Sequence, residues 1–452
     1  MDTLDCFKSY DIRGQVPRQL DAALAWRIGR AFAAELRPET VVLGYDIRET
    51  SRDLAGAAAS GLAAGGADVL DIGLCGTEEV YFATAHFRAG GGIMVTASHN
   101  PRDHNGMKLV GPGSAPISGD TGLGEIKARV AAENWGDAPP RAGSTRPLAH
   151  RRVYIERLLG TVDLRGLAPL RLVANPGNGC AGPLIDALEP HLPFSWIKVH
   201  HEPDGSFPNG VPNPLLPERR QATADAVRAH KADMGLAWDG DFDRCFFYDE
   251  QGRFIEGYYL VGLLARLMLR KHPGQVVLHD PRLVWNTRAV VLESGGAPIM
   301  TKTGHAFIKE RMRRENAVYG GEMSAHHYFR DFYFCDSGMI PWLLVAELVS
   351  ATGRPLSTFV DAMIRDYPSS GEINMQLDDP AAALALLREH YGERAASVDE
   401  VDGLSMDMGD WRFNIRSSNT EPLVRLNVES RGDPELMRAK TREIRNLVRG
   451  GN

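Results

Sequence analysis

The chain has 452 residues, a net charge of −7, 43% hydrophobic and 24% charged residues. That composition excludes disordered and fibrous classes, and the acidic balance argues against nucleic acid or an anionic membrane as a partner. At about 100–200 residues per domain, a chain of this length divides into three or four domains.

The first residues, MDTLDCFKSYDIRG, lack the apolar core of a secretory signal. No apolar run approaches the roughly 18 residues of a membrane span. Cys6, Cys75, Cys180, Cys245 and Cys335 are scattered and odd in number, without C-x-x-C spacing. Neither a disulfide framework nor a thiolate metal site is indicated, and a reduced, cytoplasmic protein is expected.

In chain order, residues 40–73 read as strand, polar loop, Ala-rich helix, Gly-Gly break and strand. The apolar run 92–95 leads into TASHNPRDHNGMK (96–108), which sets Ser98 beside His99 in a polar loop with Lys108. A serine nucleophile needs an activator, and the hydrolase G-x-S-x-G elbow is absent. His99, Asn100, Lys108 and free loop amides suit an anion, and a plain polar turn is the alternative. The segment NWGDAPPRAGSTRPLAH (134–150) reads as a linker. Residues 170–192 and 275–304 repeat the plan of 40–73, the latter down to the Gly-Gly-Ala before its second strand. Three such units predict three similar α/β domains by duplication.

Between the second and third units lies DGDFDRC (239–245). Extended backbone would turn Asp239, Asp241 and Asp243 to one side, and three converging carboxylates suit a hard divalent cation. An EF-hand is excluded by Arg244 at the position that needs glycine. An acidic turn is the other reading. In YGGEMSAHHYF (319–329), Glu322, Ser324 and His326 alternate and could share a face toward a polyhydroxyl ligand; a His-Glu metal site lacks the H-E-x-x-H spacing, and a polar edge strand is the favoured reading of this segment by itself. The remainder, with strands such as SGEINMQL and SMDMGDWRFNIRSS and two helices opened by Asp-Pro, predicts a smaller α+β domain. Its RSSNTEPLVR (416–425) offers Arg416, Ser417, Ser418, Asn419, Thr420 and Arg425 as a phosphate cradle, or as a hairpin turn.

Taken together and in this order, FKSYDIRG, TASHNP, DGDFDR, GEMSAH and RSSNTEP resemble the α-D-phosphohexomutase superfamily, and within it the bacterial phosphomannomutases. The resemblance covers essentially the whole chain. It implies three similar mixed-sheet α/β domains and a TATA-binding-protein-like α+β domain around a central cleft, divided here as 1–148, 149–250, 251–367 and 368–452. It implies that Ser98 is the phosphoserine, that Asp239, Asp241 and Asp243 hold Mg²⁺ with a Ser98 phosphoryl oxygen, and that Lys108 and Arg244 flank the phosphoserine. Tyr10 and Arg13 would line the substrate cleft with His99. His305 would contact the sugar, with Lys108 and His305 as candidates for proton transfer. Glu322, Ser324 and His326 would hold sugar hydroxyls. Arg416, Ser418, Asn419 and Thr420, with Arg425 nearby, would grip the non-transferring phosphate.

The implied reaction interconverts mannose 6-phosphate and mannose 1-phosphate, and the glucose counterparts, through a hexose 1,6-bisphosphate that also serves as activator. Hexose phosphates would be the ligands, with no protein partner needed. A phosphoglucosamine mutase or a metal-dependent sugar phosphatase is the alternative. Two departures stand out: Phe242 replaces the central glycine of the metal loop, and Ala325 replaces the glycine that closes the sugar loop.

Overall fold

In the computed structural model, residues 4–377, 379–417 and 423–450 are described. They carry four sheets, and the chain divides into two compact units: Met1–Phe254 with His326–Arg354, and Ile255–Ala325 with Pro355–Asn452.

The first sheet runs β1 (Ile12–Gln15), β5 (His104–Val110), β4 (Gly91–Val95), β2 (Thr40–Tyr45), β3 (Asp68–Leu74), β6 (Thr145–Pro147). The neighbours β2–β3, β2–β4 and β3–β6 are parallel, and β1–β5 and β4–β5 are antiparallel. Strand β4 is buried at every position, as a central strand covered on both faces must be. Helices α1 (Ala22–Leu36) and α2 (Ser51–Ala64) pack closely. A Cβ at Gly29 would lie 2.2 Å from the Ala58 carbonyl, and one at Gly61 would lie 2.0 Å from that of Trp26. The Ala- and Gly-rich sequence of α2 is therefore what lets the helices touch. Helices α3 (Thr77–His86) and α4 (Gly124–Ala132) complete this domain. The segment expected to be a linker ends in β6. Arg141 and Ser144 hydrogen-bond Asp68 at the start of β3, which zips that stretch onto the open sheet edge.

In the second sheet, Arg171–Asn175 lies parallel to Ser195–Lys198 and to Met234–Trp238. Met234–Trp238 pairs antiparallel with Cys245–Tyr248, so residues 239–244 are the connection of a hairpin. The same unit contains the antiparallel pair His327–Phe329 and Cys335–Asp336. Buried Glu78 on α3 accepts hydrogen bonds from the Ser337 hydroxyl at 2.8 Å and the Met339 amide at 3.2 Å, anchoring the turn after that pair.

In the other unit, Val276–His279 lies parallel between Ala297–Met300 and Tyr319–Gly321. The last sheet is wholly antiparallel: Ile373–Gln376, Leu423–Ser430, Trp411–Ser417, Leu404–Asp407, Ser397–Asp399. The stretch 405–418 reads as one strand in sequence, but the chain turns back at Gly409 (φ +91°), since that conformation costs a glycine little. The Asp-Pro signals hold. Asp379 caps Pro380–Tyr391 and Asp433 caps Pro434–Arg449, each side chain accepting from an amide in the first turn. No helix among the described residues is long and apolar enough to cross a membrane.

Candidate active site

Ser98 opens the polar turn after β4 and is buried, with φ +48°. A left-handed serine is strained and needs outside support. Arg48 supplies it. Its guanidinium donates to the carbonyls of Ser98 (2.9 Å), Asn100 (2.6 Å), Pro101 (2.7 Å) and His104 (2.9 Å). Arg13, on β1, donates to the Asn100 side chain at 2.6 Å and pairs with Asp11 at 2.8 Å. Tyr10 lies just before β1, partly exposed.

The Ser98 hydroxyl donates to Asp239 at 2.7 Å, and Arg244 approaches it at 3.4 Å. Arg244 also pairs with Asp239 at 2.7 Å. His99 Nδ1 lies 3.2 Å from Ser98 Oγ, although neighbouring side chains usually diverge; the left-handed serine turns them together. Arg244 points at that same nitrogen. Burial and then the Arg244 cation push the His99 imidazole well below its usual range, so it sits neutral and accepts.

The acidic segment is not extended. It is a tight turn with Phe242 at φ +45°. Asp239, Asp241 and Asp243 nevertheless converge, with ligand atoms within 4.8 Å of one another. Lys108, on β5, sits 2.7 Å from Asp241 and 2.5 Å from Asp243. Although burial opposes it, the two carboxylates raise the Lys108 ammonium well above its usual range. Burial and then the Asp241 charge push Asp243 up to about 6. Asp241 is held below its usual range by Lys108 against the pull of burial. The Oδ1 atoms of Asp241 and Asp243 are buried without a hydrogen-bond partner among the described residues. Orphaned buried carboxylate oxygens beside a third carboxylate fit a divalent cation.

His326 and Ser324 part company with expectation. Residues 322–326 form a turn with Ala325 at φ +71°, so the period-two alternation does not apply. His326 belongs to the Ser98 unit. Its Nδ1 lies 3.0 Å from Asp336, and His326, Asp336 and Asp243 form a second compact cluster. Asp243 and then Asp336 raise the His326 imidazole above its usual range despite burial.

Glu322 and Ser324 belong to the other unit. Glu322 accepts from the Gly304 amide at 3.0 Å, next to His305 at the first position of helix His305–Glu315. Arg282 links the group: it bonds Asp280 at 2.6 Å, approaches Ser324 at 3.4 Å and pairs with Glu372 at 3.3 Å. Arg416 and Arg425 are cross-strand partners, and both turn toward Glu372, at 3.5 and 3.8 Å. Despite burial, these three cations hold the Glu372 carboxyl below its usual range. Arg416 Nε and Arg425 Nε are buried donors with no partner among the described residues. Ser418, Asn419 and Thr420 lie outside the described residues.

The four domain families of "Phosphoglucomutase/phosphomannomutase" match in order: alpha/beta/alpha domain I over residues 5–137, domain II over 152–252, domain III over 256–367 and the C-terminal domain over 372–446. The chain belongs to the phosphoglucomutase/phosphomannomutase family. It is 60% identical to a phosphomannomutase of Salmonella montevideo over 99% of this chain and 100% of that protein. It is also 60% identical to a protein of Xanthomonas campestris pv. campestris named "Phosphohexose mutases", over 99% and 100%. The crystal structure of a phosphoglucomutase/phosphomannomutase family protein from Burkholderia thailandensis superposes with TM-score 0.89 at 32% identity, covering 100% of this chain and 99% of that one.

Phe242 and Ala325, which the resemblance set in place of glycines, both have left-handed backbone. A non-glycine residue there costs on the order of 1–2 kcal/mol. At Phe242 burial compensates. Its ring fills the space over Gly76, where a Cβ would lie 2.2 Å from Phe242 Cε1.

Several site residues escaped the sequence reading. Arg48 carried a visible signal: Tyr45-Asp46-Ile47-Arg48 repeats Tyr10-Asp11-Ile12-Arg13, and both arginines end on the Ser98 loop. Thr77 donates to Asp241 at 2.5 Å and accepts from Lys108 at 3.3 Å. Asp336, Asp280, Arg282 and Glu372 had no signal, because their partners are remote in sequence or their motifs too short.

Proposed function

We propose that this phosphohexomutase interconverts mannose 6-phosphate and mannose 1-phosphate, and glucose 6-phosphate and glucose 1-phosphate, through a phosphoseryl enzyme at Ser98 and a hexose 1,6-bisphosphate. The observation that carries this reading is the Ser98 hydroxyl 2.7 Å from Asp239 in a cluster of three buried carboxylates, with Arg244 at its other side. Bound there by Asp239, Asp241 and Asp243, Mg²⁺ would neutralise charge on the transferring phosphoryl group.

The chain's own groups do the rest. Arg244 and Lys108 add fixed positive charge where phosphoryl oxygens gather. Arg48 and Arg13 hold the serine loop in its strained form. Lys108 is a poor base because two carboxylates clamp its ammonium. His326 suits proton transfer better: the Asp336 contact orients the ring and favours the proton on Nδ1, leaving Nε2 to accept a sugar hydroxyl proton. Glu322 and Ser324, with His305 adjoining, serve the sugar hydroxyls. Arg416 and Arg425 offer their unpartnered Nε donors to the phosphate that is not reacting. The same phosphate site serves both half-reactions once the bisphosphate has reversed its direction. The proposed domain divisions are at 148, 250 and 367; 148 falls between the first two family matches and 250 falls two residues inside the domain II match.

A coupled assay with mannose, glucose and glucosamine 1-phosphates, with and without hexose 1,6-bisphosphate, tests the proposal. Mannose and glucose differ at one hydroxyl, so their kcat/KM values should agree within about two orders of magnitude, the cost of one missed hydrogen bond. Glucosamine 1-phosphate should be poorer. Release of inorganic phosphate without isomerisation would instead make the protein a phosphatase.

A further inference from the structure

The first domain has a cavity of about 600 Å³ outside the groups described above. It lies at the C-terminal ends of α1 and α2 and is overhung by the segment before β6. That volume is in the range of small-molecule sites. Arg30, on α1, lies in its wall and is only 8% exposed. Among the described residues Arg30 has neither a hydrogen-bond nor an ion-pair partner, and burial alone pulls its guanidinium below the usual range. A guanidinium cannot shed its charge at physiological pH, so one that is enclosed along its stem and unpaired at its head offers its donors to an anion that enters the cavity. The neighbouring C-terminal end of α2 favours a cation there, but supplies it with no acceptor in hydrogen-bond contact.

We infer that this cavity is a binding site for a small phosphate-bearing molecule, with its phosphoryl group on Arg30. Arg37 also lines the cavity, exposed and without an ion-pair partner among the described residues, and adds a second cation. The other two arginines in the wall are committed: Arg129 to Glu35 at 2.6 Å and Arg141 to Asp68 at 2.8 Å. Glu39 and Asp137 are exposed, on the rim. Gly65 keeps the approach to Arg30 open, since a Cβ there would lie 3.2 Å from Nη1. Trp135 forms part of the wall, its ring edge-on to Trp26 with centroids 6.1 Å apart.

The duplicated third domain shows that the fold does not require such an arginine. There the helix Gly257–Lys271 packs on Trp285–Glu293, and a Gly-Gly pair again precedes the next strand. A Cβ at Gly296 would meet Leu269 Cδ1 at 2.7 Å, an apolar filling. The arginine on that helix, Arg266, is 40% exposed and has Glu293 at 3.7 Å.

Titration of the whole protein with sodium phosphate, at ionic strength held constant with sodium chloride, tests the inference through tryptophan emission. Trp135→Phe isolates the cavity's share of the signal, because phosphate bound by Arg416 and Arg425 does not depend on Trp135. A saturable, Trp135-dependent change is expected. Arg30→Met should raise its midpoint by roughly tenfold or more, the loss of a charge-assisted contact. Arg37→Ala, at an exposed position, should raise it several-fold and carries the test if Arg30→Met does not fold. Mutase turnover of both variants in phosphate-free buffer should stay within about twofold of the parent. An unchanged midpoint in the folded variants, or no saturable Trp135-dependent change at tens of millimolar phosphate, would overturn the inference.

Discussion

The two charge clusters are opposites in what they leave unmet. Among the described residues, the carboxylates around Ser98 leave two acceptors unmet, Asp241 Oδ1 and Asp243 Oδ1. Among the described residues, the arginines around Glu372 leave two donors unmet, Arg416 Nε and Arg425 Nε. The Ser98 cluster is buried and the Glu372 cluster half-buried with its Nε atoms enclosed, and an unsatisfied buried polar atom is expensive. The sign of the deficit therefore names the missing partner. Carboxylate oxygens call for a metal cation, and guanidinium donors for a phosphate. The overall charge of −7 would repel an anionic substrate, and the local arginine cluster is what reverses that.

This contrast can be broken at four points. The largest effect is expected from Ser98→Ala, which removes the group that carries phosphate and should lower turnover below about a thousandth. Intact mass should show one phosphate on the parent and none on the variant, and the fold should persist because only one small hydroxyl is lost. Full mutase activity in the variant would sink the phosphoserine reading.

Next comes Asp241→Asn. Removing one of three clustered carboxylates should abolish measurable Mg²⁺ binding in calorimetry and leave EDTA without effect on the variant's melting temperature. It should also loosen Lys108, which then keeps only Asp243. Undiminished Mg²⁺ affinity would remove these carboxylates from the metal's coordination.

Arg416→Ala strikes the other cluster. Loss of a charge-assisted contact of about 1.5–3 kcal/mol predicts a kcat/KM lower by roughly 10- to 150-fold, for 1- and 6-phosphates alike. Mg²⁺ affinity should be untouched. An effect on one isomer only would contradict a shared phosphate grip.

The smallest effect sharpens the comparison. Thr77→Val keeps the shape but removes the hydroxyl between Asp241 and Lys108. Mg²⁺ affinity should weaken by about tenfold, one hydrogen bond to a charged group, while Thr77→Ser restores it. Equal affinities in all three proteins would leave Thr77 a packing residue only.

Much of this was legible in the sequence. The repeated strand–helix–Gly-Gly–strand plan appears at 40–74 and 276–300 as read, because apolar strands and Ala-rich helices are set by local periodicity. The Asp-Pro caps were equally local. The acidic triplet was legible for the wrong reason. Extended backbone would separate Asp239 and Asp243 along a strand, whereas the actual turn, with Phe242 left-handed, gathers them. The alternation expected of Glu322, Ser324 and His326 does not hold for the same cause, since a turn at Ala325 replaces it.

Composition, periodicity and motif order thus determined the class of fold, the family and the identity of Ser98, the three aspartates and Arg416 as residues of interest. Each of those signals lies within a few consecutive residues. The tertiary structure alone decided that Arg48 holds the serine loop through four carbonyls, that Lys108 neutralises two aspartates more than 130 positions away, that His326 stands with Asp336, and that Glu372 gathers three arginines. Such pairings depend on which strands and helices become neighbours, and that is fixed by packing of whole domains rather than by any short stretch of chain.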